Sequence, residues 1–356
     1  MDLLIYGSYG YTGDLIARAA AAAGEAPTLA GRDPSKVQHQ ATDLDLPHRV
    51  FDLDADDVAA ELAAADVDAV LHCAGPFADT YRPMVEACIE TGTHYLDITG
   101  EIEVFESVAS YDEAGVEADV QLLPGVGFDV VPTDCLAAHL AERLPDATDL
   151  RLGFQAEGGL SPGTAATAVS SLGEGGAVRR GGDIRNVDAA YETRPIDFGP
   201  GETGAVTIPW GDVSTAYHTT GIENVTVYTA VPGIGRLLMR SSDLLAPLFE
   251  LPGVTDTIQG LVETAVEGPD EATRAHTNCY VRGEASTDDE RVVSRLVTPN
   301  TYTLTVDAAL LVARKVLDGD WAAGFGTPAG VYGSDLVLGI DGVERTDEEP
   351  VRVVGR

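Results

Sequence analysis

A strand-like run, Leu3-Leu4-Ile5-Tyr6, passes directly into Gly7-Ser8-Tyr9-Gly10-Tyr11-Thr12-Gly13 and then into a helical pattern over 15–23. Glycines between a strand and a helix permit a tight turn and bring the two elements close together. They also let backbone approach a pyrophosphate, to which the helix N-terminus offers free N–H groups. The spacing is G-x-x-G-x-x-G rather than G-x-G-x-x-G, so the force of the pattern lies in its placement after the first strand. Gly7, Ser8, Tyr9, Gly10, Tyr11, Thr12 and Gly13 are therefore read as a dinucleotide-binding loop, with a purely structural glycine turn as the alternative.

The strand-to-helix alternation continues through the first third of the chain. Apolar runs at 28–30, 69–72 and 95–98 alternate with helical patterns at 58–65 and 84–91, and a helix over 102–118 leads to a strand at 120–123. Such alternation predicts right-handed βαβ units. The expected fold is α/β, a Rossmann-type doubly wound parallel sheet with a second, mixed α+β domain. From about residue 150 the pattern changes to strands at 206–209, 224–230, 277–283 and 291–298. Among them lie a helix start at Ser161-Pro162-Gly163-Thr164 and helical spacing over 234–266. A last helix at 301–317 and the segment 327–338 are expected to pack back on the first domain. The domains are then 1–132, dinucleotide-binding; 133–299, substrate-binding and dimerising; and 300–356, returning to the Rossmann domain.

Charge narrows the class of partner. The 356 residues include 58 Asp and Glu against 22 Lys and Arg, a formal net charge of −36, yet 44% are hydrophobic, too apolar a composition for a disordered acidic chain. A field of that sign repels nucleic-acid phosphates and anionic lipids. Only Lys36 and Lys315 are lysines. Dense carboxylate with so little lysine suits a protein kept soluble in multimolar salt, where self-repulsion is screened, and is read as a halophile's; an ordinary acidic enzyme is the alternative. Cys73, Cys88, Cys135 and Cys279 show no C-x-x-C pair and no zinc-ligand spacing, so reduced, mostly buried thiols and no metal are expected. With no signal-like N-terminus and no long apolar span, the expected location is cytoplasmic, with peripheral membrane contact left open.

The remaining candidates lie at turns after strands. At Ala30-Gly31-Arg32-Asp33 the second strand ends without the carboxylate that would hold an NAD ribose, and Arg32 is placed to clamp a 2′-phosphate, which favours NADP(H). Arg32 also suits a pair with Asp33, and a register slip of two makes Asp33 the ribose acid. After the fourth strand come Cys73, Ala74, Gly75, Pro76 and Phe77, small residues past which a cofactor can lie, or a plain strand-ending turn. Asp97, Glu101 and Asp129, at two further polar turns, and Tyr81 are candidate polar partners of the nicotinamide and substrate. Acidic residues before helices are also N-caps.

Together these turns resemble the saccharopine dehydrogenase-like NADP-binding family, including its trans-acting enoyl reductase branch. The residues concerned are Gly7 to Gly13, Ala30-Gly31-Arg32, Cys73 to Phe77, Tyr95 to Glu101 and Gly127-Phe128-Asp129 through Pro132 and Asp134. Weaker similarity runs through Ser161 to Thr164, Ile208 to Asp212 and Gly326 to Ala329. The resemblance implies nicotinamide-dependent oxidation or reduction, of a secondary amine joining two amino acids or of a C=C bond in a lipid-linked intermediate. Arg179, Arg180 and Arg185, the densest basic cluster, suit a multi-carboxylate substrate or a solvated turn. The stretch 237–251 suits a lipid-like substrate or ordinary core packing. No Tyr-x-x-x-Lys relay, P-loop, G-x-S-x-G elbow or H-E-x-x-H is present. The expected activity is NADP(H)-dependent reduction of a C=C or C=N bond in a small-molecule or lipid-like substrate by a homodimer. The alternative is a noncatalytic dinucleotide-binding sensor or accessory protein.

Overall fold

The computed structural model describes residues 2–55, 57–159, 161, 175–231 and 268–352. Pro162 to Thr164 and the stretches 234–266 and 237–251, singled out in the sequence, lie outside the described residues. The chain divides into two compact units: Met1–Val131 with Tyr302–Tyr332, and Pro132–Thr301 with Gly333–Arg356.

The first unit opens with β1 (Leu3–Tyr6), α1 (Tyr11–Ala22), β2 (Thr28–Gly31), α2 (Pro34–Leu44), β3 (His48–Val50), α3 (Val58–Ala65), β4 (Ala69–His72), α4 (Phe77–Thr91), β5 (His94–Asp97), α5 (Ile102–Ala109), α6 (Asp112–Ala118) and β6 (Gln121–Leu123). Its strands form a parallel sheet in the order β6-β5-β4-β1-β2-β3. Every residue of β1, β4 and β5 is buried, as a parallel sheet covered on both faces requires. Leu4, Val70 and Tyr95 pack with Met84 and Val85 of α4 and with Val104 and Val108 of α5. Strand order reverses beside β1, with β2 and β3 on one side and β4 onward on the other. That makes the β1 and β4 ends the switch point at which open α/β sheets bind ligands.

Two local features depart from the sequence expectation. The helix expected over 102–118 is broken at Ser110 and Tyr111. There the Ser110 hydroxyl donates to the Ser107 carbonyl (2.6 Å) and the Tyr111 N–H closes a short turn on Val108, both at the expense of the helical ladder. The other is α2, which starts where Asp33 caps it and Pro34 occupies its first turn.

The second unit contains most of α7 (Val131–Arg143), then β7 (Asp149–Ala156), β8 (Gly176–Arg180), β9 (Asp183–Val187), β10 (Thr193–Asp197), β11 (Glu202–Thr207), α8 (Asp212–Thr220), β12 (Asn224–Ala230), α9 (Glu271–His276), β13 (Asn278–Ser286) and β14 (Glu290–Pro299). The sheet runs β10-β11-β12-β7-β13-β14 and is mixed, β12 and β7 being parallel and the other neighbours antiparallel. Along β13 the residues alternate: Cys279, Val281, Gly283 and Ala285 are buried on one face, while Tyr280, Arg282 and Glu284 occupy the other. Gly283 lets α7 lie close, since a Cβ there would collide with Leu140 and come within 3.1 Å of Leu136.

The C-terminal residues are shared between the units. In the first, α10 (Thr301–Leu317) contributes ten buried positions and pairs Arg314 with Glu25 at 2.7 Å; β15 (Gly324–Phe325) then extends the parallel sheet beyond β6, and α11 (Pro328–Tyr332) comes next. Tyr302–Tyr332 group with the first unit and Gly333–Arg356 with the second. Beyond Tyr332, β16 (Glu344–Asp347) pairs with β14 of the second unit, where Arg143 of α7 holds Asp347 and the Glu348 carbonyl.

Candidate functional site

The β1 turn is shaped by what a side chain would strike. Gly7 has φ +76°, and a Cβ there would stand 2.8 Å from the Ala74 nitrogen and Cβ, so the turn lies directly against the end of β4. A Cβ on Gly13 would fall on the Gly7 carbonyl oxygen, which keeps α1 tight against the turn. Gly10 donates its N–H to that same carbonyl (3.0 Å) and is the N-cap of α1, with no side chain to close the helix end. Tyr11 packs edge-on against Tyr302 at 5.1 Å, Thr12 is half-buried, and the Ser8 hydroxyl is fully buried, so Ser8 serves the turn through its backbone. A close-approach backbone, an uncapped helix start and a position at the switch point are what a pyrophosphate needs, and these residues fit one.

At the tip of β2, Tyr9 lies over Gly31, where a Cβ would meet the ring at 2.5 Å, and its hydroxyl accepts the Asp33 N–H at 3.2 Å. One oxygen of Asp33, Oδ1, accepts the Ser35 and Lys36 N–H groups (2.9 and 3.1 Å) and so caps α2. Arg32 is exposed and, among the described residues, has no hydrogen-bond or ion-pair partner. The Lys36 ammonium stands 5.5 Å from the Tyr9 ring centre. Sequence reasoning passed over Lys36, although it is one of two lysines in a strongly acidic chain and stands one helical turn after Arg32.

The ends of β4, β5 and β6 hold the carboxyl candidates. Asp97 is buried; one oxygen accepts the Thr99 and Gly125 N–H groups (2.9 and 2.8 Å) and the other the Tyr95 hydroxyl (2.7 Å). Burial pushes it up to about 6 against those hydrogen bonds, and its place in the site is that of a brace joining two turns. Glu101 accepts the Phe77 and Ala78 N–H groups (2.9 and 2.8 Å), capping α4 from another element; burial raises it too. Asp129 is half-buried beside Gly100, where a Cβ would approach its Oδ2 to 2.9 Å, and its carboxyl has no hydrogen-bond partner among the described residues. Burial alone pushes it up to about 7.

Cys73 to Phe77 form the edge facing Gly7. Gly75 and Pro76 are exposed, Ala74 and Phe77 half-buried, and burial raises the Cys73 thiol. Behind this edge His72 is fully buried, with Nε2 3.0 Å from the Thr80 hydroxyl. Thr80 lies 2.7 Å from the Ala74 carbonyl and gives its single proton there, so His72 Nε2 carries the donated hydrogen and Nδ1 is left buried and unpartnered. Burial pushes this histidine down to about 3, and it stays neutral.

Two sequence candidates fall elsewhere. Tyr81 belongs to the core cluster, and its hydroxyl is met by Arg82 (3.3 Å), which also reaches Tyr111; none of Asp97, Glu101 or Asp129 is a hydrogen-bond partner. Its large apolar ring on the inner side of α4 explains the placement. Arg179, Arg180 and Arg185 do not converge: Arg179 donates to the Val213 and Gly182 carbonyls, Arg180 to Thr226, and Arg185 pairs with exposed Asp183. No helix among the described residues is long and apolar enough to cross a membrane.

The sequence model of the saccharopine dehydrogenase NADP binding domain matches residues 3–122. A probable mitochondrial saccharopine dehydrogenase-like oxidoreductase of Arabidopsis thaliana is 30% identical over 149 residues, 37% of this chain and 33% of the relative. A trans-acting enoyl reductase of Mycobacterium tuberculosis is 29% identical over 152 residues, 40% of this chain and 36% of that one. The match thus spans about a third of the length of these curated relatives. In fold, the chain is similar to apo saccharopine dehydrogenase (L-Glu forming) from Saccharomyces cerevisiae, with a TM-score of 0.68 at 14% identity over 98% of this chain and 99% of that one.

Proposed function

We propose, on the premise that residues 3–122 make this chain a member of the saccharopine dehydrogenase-like oxidoreductase family, that it is an NADPH-dependent reductase of C=C or C=N bonds in a lipid-like or amino-acid-derived substrate. One observation carries the reading: a glycine cradle at the switch point shares its sheet edge with Asp129, a half-buried carboxyl with no hydrogen-bond partner among the described residues, poised near neutrality. The backbone of Gly7 to Gly13 and the start of α1 would hold the pyrophosphate, and Cys73 to Phe77 would border the ribose. Arg32, exposed and without an ion-pair partner among the described residues, would take the 2′-phosphate, with Lys36 one helical turn further on, while Asp33 turns Oδ1 to the first N–H groups of α2. When bound, the nicotinamide supplies a hydride. Asp129, about half protonated at neutral pH, supplies the proton that completes reduction, and Asp97 and Glu101 hold the turns around it.

The test begins with fluorescence titration of NADPH and NADH into the protein in high potassium chloride, with and without Arg32→Ala. Tighter NADPH binding that collapses in the variant supports the 2′-phosphate contact; preferred NADH binding overturns it. NADPH consumption is then monitored over a panel of enoyl lipids and imines. Stoichiometric binding without turnover across that panel would favour the noncatalytic reading.

A further inference from the structure

The second sheet collects positive charge that the sequence disperses. Arg151 on β7, Arg194 on β10, Arg282 on β13 and Arg291 on β14 all lie within ion-pair distance of one carboxylate, Glu284, whose side chain is 2% exposed. Register assembles them: Arg151 pairs directly with Glu284 across β7 and β13, Arg282 lies two residues before Glu284, and Arg291 pairs with Ser286, two residues after it. In a chain of net charge −36, four guanidiniums around one carboxylate are out of keeping with the rest of the molecule.

The carboxylate does not satisfy them all. Glu284 accepts hydrogen bonds from Arg151 (3.1 Å) and Arg282 (3.2 Å). Arg194 and Arg291 stand at 3.9 and 3.8 Å from the same oxygen that Arg282 uses, and neither makes a hydrogen bond among the described residues. Glu192 acts on Arg151 as a second carboxylate, and Arg295 is occupied by Asp197 and Glu348. Burial favours the neutral acid at Glu284, but Arg282, Arg194, Arg291 and Arg151 outweigh it and hold the group ionised. Arg194 and Arg291, with 28% and 38% of their side chains exposed, keep unspent donors beside the same carboxylate oxygen, and the group remains positive in excess.

We infer that Arg194 and Arg291, backed by Arg151 and Arg282 around Glu284, form a binding site for an oxyanion carrying two or more negative charges, a phosphate or a polycarboxylate. Planar forked donors match such groups with paired charge-assisted hydrogen bonds, and partial burial shelters the contact from salt. The site shares no residue with the dinucleotide cradle and does not depend on the proposed reaction.

The experiment uses the full chain and inorganic phosphate, titrated calorimetrically at constant ionic strength set by potassium chloride, with citrate as a second probe to separate phosphate from polycarboxylate recognition. Saturable uptake is expected, weakened about tenfold or more in Arg194→Gln/Arg291→Gln. Circular dichroism and the urea midpoint establish that the variant folds; should the double variant unfold, the more exposed Arg291→Gln alone is read the same way. Absence of saturable uptake by the unaltered protein, or equal uptake by a folded variant, overturns the inference. So does concentration-dependent self-association insensitive to phosphate and abolished by the substitutions, because the cluster is then a contact between copies.

Discussion

Asp97, Glu101 and Asp129 lie at or beyond the ends of neighbouring strands of one sheet, and burial raises all three, but their partners separate them. Glu101 gives both oxygens to backbone N–H groups and Asp97 gives one to backbone N–H groups and the other to the Tyr95 hydroxyl, whereas Asp129 accepts no hydrogen bond among the described residues. Asp129→Asn is therefore expected to lower turnover by about 10²–10⁴-fold with NADPH affinity unchanged, and to remove a loss of activity above about pH 7. Stability gives a readout that needs no substrate. With its folded pKa raised to about 7, Asp129 favours the folded state below the unfolded value near 4, and that contribution is lost as pH rises through 7. His72 acts in the opposite sense: lowered to about 3 when folded, it weakens the fold as pH falls below about 6.5. The difference between the urea midpoints of the parent and Asp129→Asn isolates the first effect, and a difference constant from about pH 4 to 8 would exclude a raised carboxyl. Sequence alone could not rank the three, because an acidic residue after a strand reads as cap, brace or acid until its hydrogen bonds are known.

At the scale of elements, the β1–turn–α1 unit was legible because its constraints are local: each glycine answers to an atom within a few residues or at the next strand end. Gly7→Ala is expected to abolish dinucleotide binding in the fluorescence titration, since it combines φ +76° with a 2.8 Å contact on Ala74. The start of α4 was less legible. The apolar spacing marked 84–91, but the helix begins at Phe77 because Glu101, 24 residues along the chain, accepts its first N–H groups. Glu101→Ala is expected to cost about 1–2 kcal/mol in urea denaturation at unchanged slope, with Glu101→Gln, whose amide oxygen still accepts, recovering part of it. The arginines show the converse. Arg179, Arg180 and Arg185 are close in sequence and spend their donors separately, whereas Arg151, Arg282 and Arg291 are up to 140 residues apart and are brought to Glu284 by strand pairing, with Arg194 reaching it from β10. Spacing along a chain reports helix faces well and sheet faces only once register is known.

For the whole molecule the dominant quantity is charge. With 58 acidic residues against 22 basic ones, folding brings like charges together, and many of the arginines at hand are already engaged, as in Arg314 with Glu25, Arg143 with Asp347 and Arg345 with Asp335. The repulsion left over is spread over the surface, where screening acts: the Debye length falls from about 10 Å at 0.1 M salt to about 3 Å at 1 M. Stability should therefore climb with potassium chloride. Between 0.1 and 2 M the urea midpoint is expected to rise by about 1 M, on the order of 2 kcal/mol at a typical slope. Urea is the denaturant to use, because guanidinium is itself a screening salt. Neutralising exposed carboxylates of α6, as in Glu113→Gln/Glu117→Gln, tells screening from a general effect of salt on apolar burial: under screening the variant gains less from added salt than the parent, whereas equal gains would trace the dependence to the core. A midpoint flat in salt would mean that the acidic surface serves solubility without burdening the fold, and that the composition alone does not mark a protein adapted to multimolar salt.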